Sequence, residues 1–166
     1  IDTIITDHHQ VIRDTETGEI IPPSAKFILH PDVGIPQLQN FSGSGMAFYF
    51  CHLLEERLQT GFDLDLWQPV AAMGTIGDMT PLLGMNRDFV KLGIKGAQTT
   101  KHIGLKAMKE ACGVGAKMDE EDFSFKIIPK FNAAGRLYDP IYSFAVMATE
   151  DEEAAAKWAV TLVEIN

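Results

Sequence analysis

The sequence predicts an α/β chain in which a short parallel-sheet portion is followed by a mostly helical region. Three observations carry that reading. Two short runs that read as strands, the β-branched Ile1–Thr6 and the apolar Ala25–Leu29, both fall before residue 30. From residue 46 on, apolar residues recur at helical spacing in one segment after another, with capping residues ahead of several of them. With 166 residues, 46% hydrophobic and 22% charged, the chain has the composition of an ordinary globular domain and is long enough to bury a core.

Each element has a local reason. Ile1–Thr6 is a β-branched strand that closes on Asp7-His8-His9. Gln10–Ser24 is polar, holds Thr17-Gly18 and Pro22-Pro23, and reads as an extended loop or small excursion. Ala25–Leu29 is a second strand, stopped by His30-Pro31-Asp32. In Ser42-Gly43-Ser44-Gly45 the serines offer N-caps for a helix over Met46–Leu58. Trp67–Ile76 reads as a buried helix that ends at Gly77-Asp78, with Pro81 beyond it. Arg87–Ala97 and His102–Cys112 are amphipathic helices, and Met118–Ile128 is a helix with an acidic first turn. Phe131–Leu137, with its Gly and Ala, is expected to be a loop, followed by two closing helices, Ile141–Ala148 and Glu152–Ile165. A strand-rich portion, 1–40, thus precedes a mainly helical one, 41–166.

Composition excludes several functions. A formal net charge of −9 argues against a self-sufficient nucleic-acid binder, which would show a basic face. No apolar run is long enough to span a bilayer, so no membrane role is expected. Cys51 and Cys112 lie far apart in helix-like segments, which suits free thiols in a reducing cytoplasm better than a disulfide. The chain opens at Ile1, already inside a strand, and is expected to be an excised portion of a larger protein.

Three places concentrate chemistry. A strand ending in a carboxylate and two imidazoles delivers metal ligands where open α/β sheets place their active sites, though a turn with two solvated histidines fits the triplet too. Adjacent histidines on a continuing strand point to opposite sides, so one could take a metal and its neighbour another role. Asp78 follows an apolar helix, where a carboxylate in low-dielectric surroundings should be paired or metal-bound; capping the next turn is the alternative. Asn132 and Arg136 are separated only by small residues and could bring an amide and a guanidinium to a phosphate, unless Arg136 merely satisfies carbonyls in a helix connection. His30, His52 and His102 read as structural or solvated, and the acidic clusters at 119–122 and 150–153 as solvated helix starts.

Taken in order, Ile4–His9, Phe41–Phe48, Ala72–Leu82 and Pro129–Leu137 resemble the DHH phosphoesterase superfamily, most closely its RecJ branch of single-stranded-DNA-specific 5′-to-3′ exonucleases. The triplet is common to DHH enzymes, while Asn132-Ala133-Ala134-Gly135-Arg136 is particular to RecJ, and the resemblance spans essentially the whole chain. It implies the latter part of a DHH-type domain, with His8 and Asp78 as ligands of a two-metal Mn²⁺ or Mg²⁺ centre. His9 would face the scissile phosphate, and Asp7 would orient the imidazoles and could reach the metals. Arg136 would hold a terminal phosphate of single-stranded DNA in a pocket that Asn132 shapes. Two divalent ions about 3.5–4 Å apart would activate water and clamp the developing charge.

Departures from the family pattern are informative. The upstream Asp-x-Asp strands, the DHHA1-type domain and the OB-fold of family members have no counterpart here, so the fragment alone is expected to be inactive. Gln10-Val11 stands where a proline commonly follows the triplet, the loop after His9 is long, and Lys130 replaces a usual arginine. The resemblance implies a cytoplasmic exonuclease of recombination and repair, with other recombination or replication proteins as conceivable partners. The rivals are a DHH phosphoesterase for short oligonucleotides or cyclic dinucleotides, and a non-catalytic replication scaffold of the same fold.

Overall fold

The computed structural model describes residues 1–33 and 36–166. Two strands, β1 (Ile4–Thr6) and β2 (Phe27–Leu29), pair in parallel with Ile4 opposite Phe27, Ile5 opposite Ile28 and Thr6 opposite Leu29. Both are shorter than the apolar runs that contain them. The connection between them holds a small antiparallel excursion, bridged at Arg13 and Ile20 and turned by the Asp14 carboxylate, which accepts from the Glu16 and Thr17 amides. Gly18 closes that turn at φ +73°, a conformation that favours glycine.

After a short 3₁₀ turn at Pro36–Leu38 the chain is helical: α1 (Gly43–Leu58), α2 (Leu64–Gly77), α3 (Gly84–Gln98), α4 (Ile103–Ala111), a π-helical turn (Asp122–Ile127) continued by α5 (Ile128–Leu137), α6 (Ile141–Ala148) and α7 (Glu152–Ile165). Four starts are capped as the sequence invites. Ser42, Asp63 and Asp151 accept from the amides of Gly45, Leu66 and Ala154, and His102 Nδ1 accepts from Leu105. Each such cap is worth about 1 kcal/mol. His102 is buried, its pKa pushed down by that burial, with its ring edge-on to Trp67 at 4.7 Å.

One expectation fails outright. Phe131–Leu137 is not a loop but most of α5. The Gly and Ala content suggested a loop, yet Asn132-Ala133-Ala134 is compatible with helix, and Pro129 lies in the first turn of α5, just past the π turn. There the Ile128 amide reaches back five residues to Phe123, and the widened turn leaves room for a residue with no N–H to give.

Two apolar clusters fill the helical body. One gathers Met108, Phe123, Ile127, Val146 and Leu162 from α4, the π turn, α6 and α7; the other gathers Leu38, Phe41, Met46 and Phe89 around α1, α2 and α3. Ile76 and Ile94 border both. Lys109, buried on α4, donates from Nζ to the Ala97 and Gln98 carbonyls at 2.6 and 3.3 Å, capping the end of α3 from outside; burial lowers its pKa. Cys51 and Cys112 are free and half-buried, and no described helix is long and apolar enough to cross a membrane.

Candidate active site

The carboxyl end of β1 meets the carboxyl end of α2. β1 stops at Thr6, and the Asp7 amide makes the next parallel-ladder bond, to the Leu29 carbonyl at 3.1 Å. The residues that follow leave the strand, so the alternation expected of His8 and His9 does not apply. Their rings lie side by side instead, with centroids 4.6 Å apart and planes tilted by 43°. They address different carboxylates. His8 Nδ1 lies 3.5 Å from Asp78 Oδ2, and His9 Nδ1 lies 2.7 Å from Asp7 Oδ1.

Asp7 is the organiser of the loop. The same Oδ1 accepts from the backbone amides of His8 and His9, at 2.8 and 3.2 Å. Hydrogen bonding from His9, with help from the two amides, draws the Asp7 pKa down to about 2, so it is ionised at any ordinary pH. The same contact raises the pKa of His9. Asp7 therefore orients the His9 ring and the loop backbone, but its side chain makes no hydrogen bond to the His8 ring.

Asp78 corrects an expectation. It is the C-cap residue of α2, and its side chain is 40% exposed rather than sunk among apolar groups. Met79 follows in the left-handed region at φ +57°, 89% exposed, turning the chain sharply away just after the carboxylate. The seat of the pair is fixed from below by buried hydroxyls. Ser42 Oγ bonds Thr75 Oγ1 at 2.8 Å and Ser44 Oγ at 2.9 Å, and both partners also donate to the Ala71 carbonyl. That network locks the start of α1, where the His8 ring rests against Gly43, to the last turns of α2. The close approach needs Gly74, since a Cβ there would stand 2.5 Å from Ser44 Oγ.

His8 and Asp78 are one nitrogen and one oxygen donor, a chemistry suited to Mn²⁺ or Mg²⁺. Among the described residues no group of three or more His, Cys, Asp or Glu side chains is placed to hold an ion. The fit is thus partial: His8 and Asp78 offer two converging donor atoms 3.5 Å apart.

Asn132 and Arg136 lie one turn apart on α5, both exposed, and line a cleft of about 700 Å³ together with Ile76, Gly77 and Met79. Those three residues flank Asp78, so the cleft opens beside the carboxylate. The helical spacing of the amide and the guanidinium, unforeseen in the sequence, is what aims both at one space.

Comparison with known proteins decides the family. The single-stranded-DNA-specific exonuclease RecJ of Thermus thermophilus is 32% identical over 166 residues, covering all of this chain and 23% of that protein. RecJ of Bacillus subtilis is 32% identical over 169 residues, all of this chain and 20% of its own length. A crystal structure of Thermus thermophilus RecJ in complex with Mn²⁺ superimposes with a TM-score of 0.83 at 31% identity, over 99% of this chain and 24% of that one. This is a RecJ-type DHH segment. No family model matches it. The chain spans about a fifth to a quarter of the length of these two curated RecJ relatives. A second RecJ structure, bound to manganese, gives a TM-score of 0.82 and covers 40% of that chain.

Within the RecJ segment, sequence reasoning passed over several contributors. His30, dismissed as structural, is buried and does hold structure, but at the site: its Nδ1 accepts from the Asp32 amide at 3.0 Å. That leaves the proton on Nε2, which donates to the His9 carbonyl at 2.8 Å. The available signal was the parallel register, which sets the residue after Leu29 beside the one after Thr6. Asn86 is fully buried, and its Nδ2 serves the carbonyls of Asn40 and Pro81 and the Thr80 hydroxyl, pinning the turn after Asp78 to the approach of α1. Its Oδ1 has no partner among the described residues, and turning the amide over would set that oxygen against two carbonyls, so its orientation is fixed.

Proposed function

We propose that this chain is part of the catalytic DHH domain of a single-stranded-DNA-specific exonuclease that hydrolyses phosphodiester bonds from the 5′ end in recombination and repair. The observation that carries the reading is the convergence of His8 and Asp78, 70 positions apart in sequence, to 3.5 Å at the joint ends of a strand and a helix. They are the residues that would hold divalent metal here. Mn²⁺ or Mg²⁺, when bound, supplies an activated water and charge neutralisation at the phosphate.

The remaining roles follow from geometry and chemistry. Asp7 occupies His9 Nδ1, so His9 presents Nε2 outward from a ring that is 79% exposed. With its protonated form favoured by Asp7, Nε2–H can donate to a phosphoryl oxygen or to the departing one. Arg136 and Asn132 hold the terminal phosphate of the strand, the guanidinium as a planar fork and the amide as its neighbour. The hydroxyls of Ser42, Ser44 and Thr75 keep the two donors of the metal site in register. On this reading the protein works on DNA in the cytoplasm, beside other recombination or replication proteins.

The test uses the full-length protein that carries this chain, assayed on single-stranded oligonucleotides with Mn²⁺. His8→Ala is expected to lower cleavage at least a hundredfold without lowering the unfolding midpoint. Arg136→Ala should chiefly erase the preference for a 5′-phosphorylated end. Undiminished cleavage by His8→Ala would remove the proposal.

A further inference from the structure

The π-helical turn Asp122–Ile127 interrupts an otherwise regular passage into α5. Such turns are rare and are frequently found at functional sites. The side chains of this one face two ways. Phe123 and Ile127 are fully buried in the core, while Phe125, between them, is 75% exposed. Phe125 and Ser124 line the same cleft of about 700 Å³ as Asn132 and Arg136. A phenyl ring left this open gains little from burial and has a free face to offer an occupant of the cleft.

The lining of the cleft indicates which. Arg136 is the one charged residue among the described residues that line it, and the chain as a whole carries a net charge of −9. A polyanion seated here releases few counterions per contact and gains little from electrostatics alone. Beside the guanidinium the wall is apolar: Phe125, Ile128 and Ile76. An aromatic face next to a phosphate fork is the pairing by which single strands are held without regard to sequence, because every base has a π face. A volume of about 700 Å³ also falls in the range of sites for small organic ligands, enough for a terminal nucleotide.

We propose that Phe125 is a stacking platform for a nucleobase at the 5′ end of the strand whose terminal phosphate Arg136 holds. The inference rests on the reading of the cleft as a DNA phosphate site. It adds a base subsite, blind to base identity, that supplies the affinity a lone cation does not.

The experiment is equilibrium binding by the full-length protein, without divalent metal so that the DNA stays intact. The probes are a 5′-phosphorylated oligothymidylate and the same oligomer with abasic sites at its three 5′-terminal positions. Phe125→Ala and Phe125→Leu, the second keeping an apolar side chain, should each weaken binding of the intact oligomer about tenfold, a loss typical of one stacked base. Phe125→Trp should bind as wild type does. On the abasic oligomer all four proteins should bind alike, at the weakened level. Equal weakening on both oligomers, no weakening on either, or wild-type binding by Phe125→Leu would overturn the proposal and leave the face to an apolar protein segment. Arg136→Ala is read separately, as loss of discrimination between phosphorylated and unphosphorylated ends. If that discrimination survives Arg136→Ala while the Phe125 pattern holds, the phosphate reading fails and the base subsite stands.

Discussion

The two donors of the candidate metal site stand on unequal ground. Asp78 ends a 14-residue helix whose inner face is buried against α1 and α3, whereas His8 follows a three-residue strand whose burial is slight. Between residues 1 and 33 only His30 and Pro31 are fully buried, while the helical body holds both apolar clusters. The difference shows how a weakly packed region can be held for chemistry. The strand-bearing part is shaped at the site by hydrogen bonds from Asp7 and His30 and by the His8 ring resting on Gly43, and the helical part is held by its core.

The comparison can be broken most directly by truncating aromatic side chains on each side. Phe123→Ala should cost roughly 3–5 kcal/mol in urea unfolding of the chain, since its ring is wholly buried. Phe27→Ala, at a ring 58% exposed, should cost no more than about 0.5 kcal/mol. Comparable losses would mean that the strand-bearing part shares the core after all.

Asn86→Ala probes the joint. It removes three hydrogen bonds to Asn40, Thr80 and Pro81 in a dry place, so a loss of about 1–3 kcal/mol is expected, with helical circular dichroism retained. His30→Ala should be smaller and local. The Asp32 amide loses its acceptor and should exchange with solvent markedly faster, while the global unfolding midpoint moves little. A fall in midpoint as large as that of Phe123→Ala would contradict the division.

The smallest effect is the Asp7–His9 pair, measured in metal-free protein. Asp7 is drawn from its ordinary 3.8 down to about 2, so its contribution is complete above 3.8 and fades as the pH falls toward about 2. His9 is raised above its ordinary 6.5, so its contribution is complete below 6.5 and fades as the pH rises through the raised value. The contact is therefore strongest between those limits. Both side chains being open to solvent, the signature is an NMR titration rather than a melting shift: Asp7→Asn should return the His9 midpoint toward 6.5.

What could be read from the sequence follows what is local. Caps at Ser42, Asp63 and Asp151, the two short strand runs and the triplet itself depend on neighbours a few residues away, and the helices fall close to where periodicity places them. The α5 error arose because a run of Gly and Ala reads as a connection, whereas here it continues a helix already begun at Ile128. The exposure of Asp78 and the use of His30 depend on which elements meet. His30 acts on a carbonyl 21 residues earlier, and Thr75 on a hydroxyl 33 residues earlier, relations set by register and helix packing rather than by spacing. The order of the motifs pointed to the family; the hydroxyl lock under the site left no pattern to read.

The sheet at the base of the site has a practical consequence for anyone preparing this chain by itself. Ile4 and Phe27 sit side by side across the register, each more than half exposed, on two strands of three residues. Each strand pairs on one side only among the described residues, leaving its other row of amides and carbonyls as a template for further strands. An apolar two-stranded ribbon of this kind is marginal alone and adhesive in company. Its solution behaviour will therefore depend on concentration, and growth of β signal on concentrating the sample would mark chains joining edge to edge at the very strands that carry Asp7, His8 and His9.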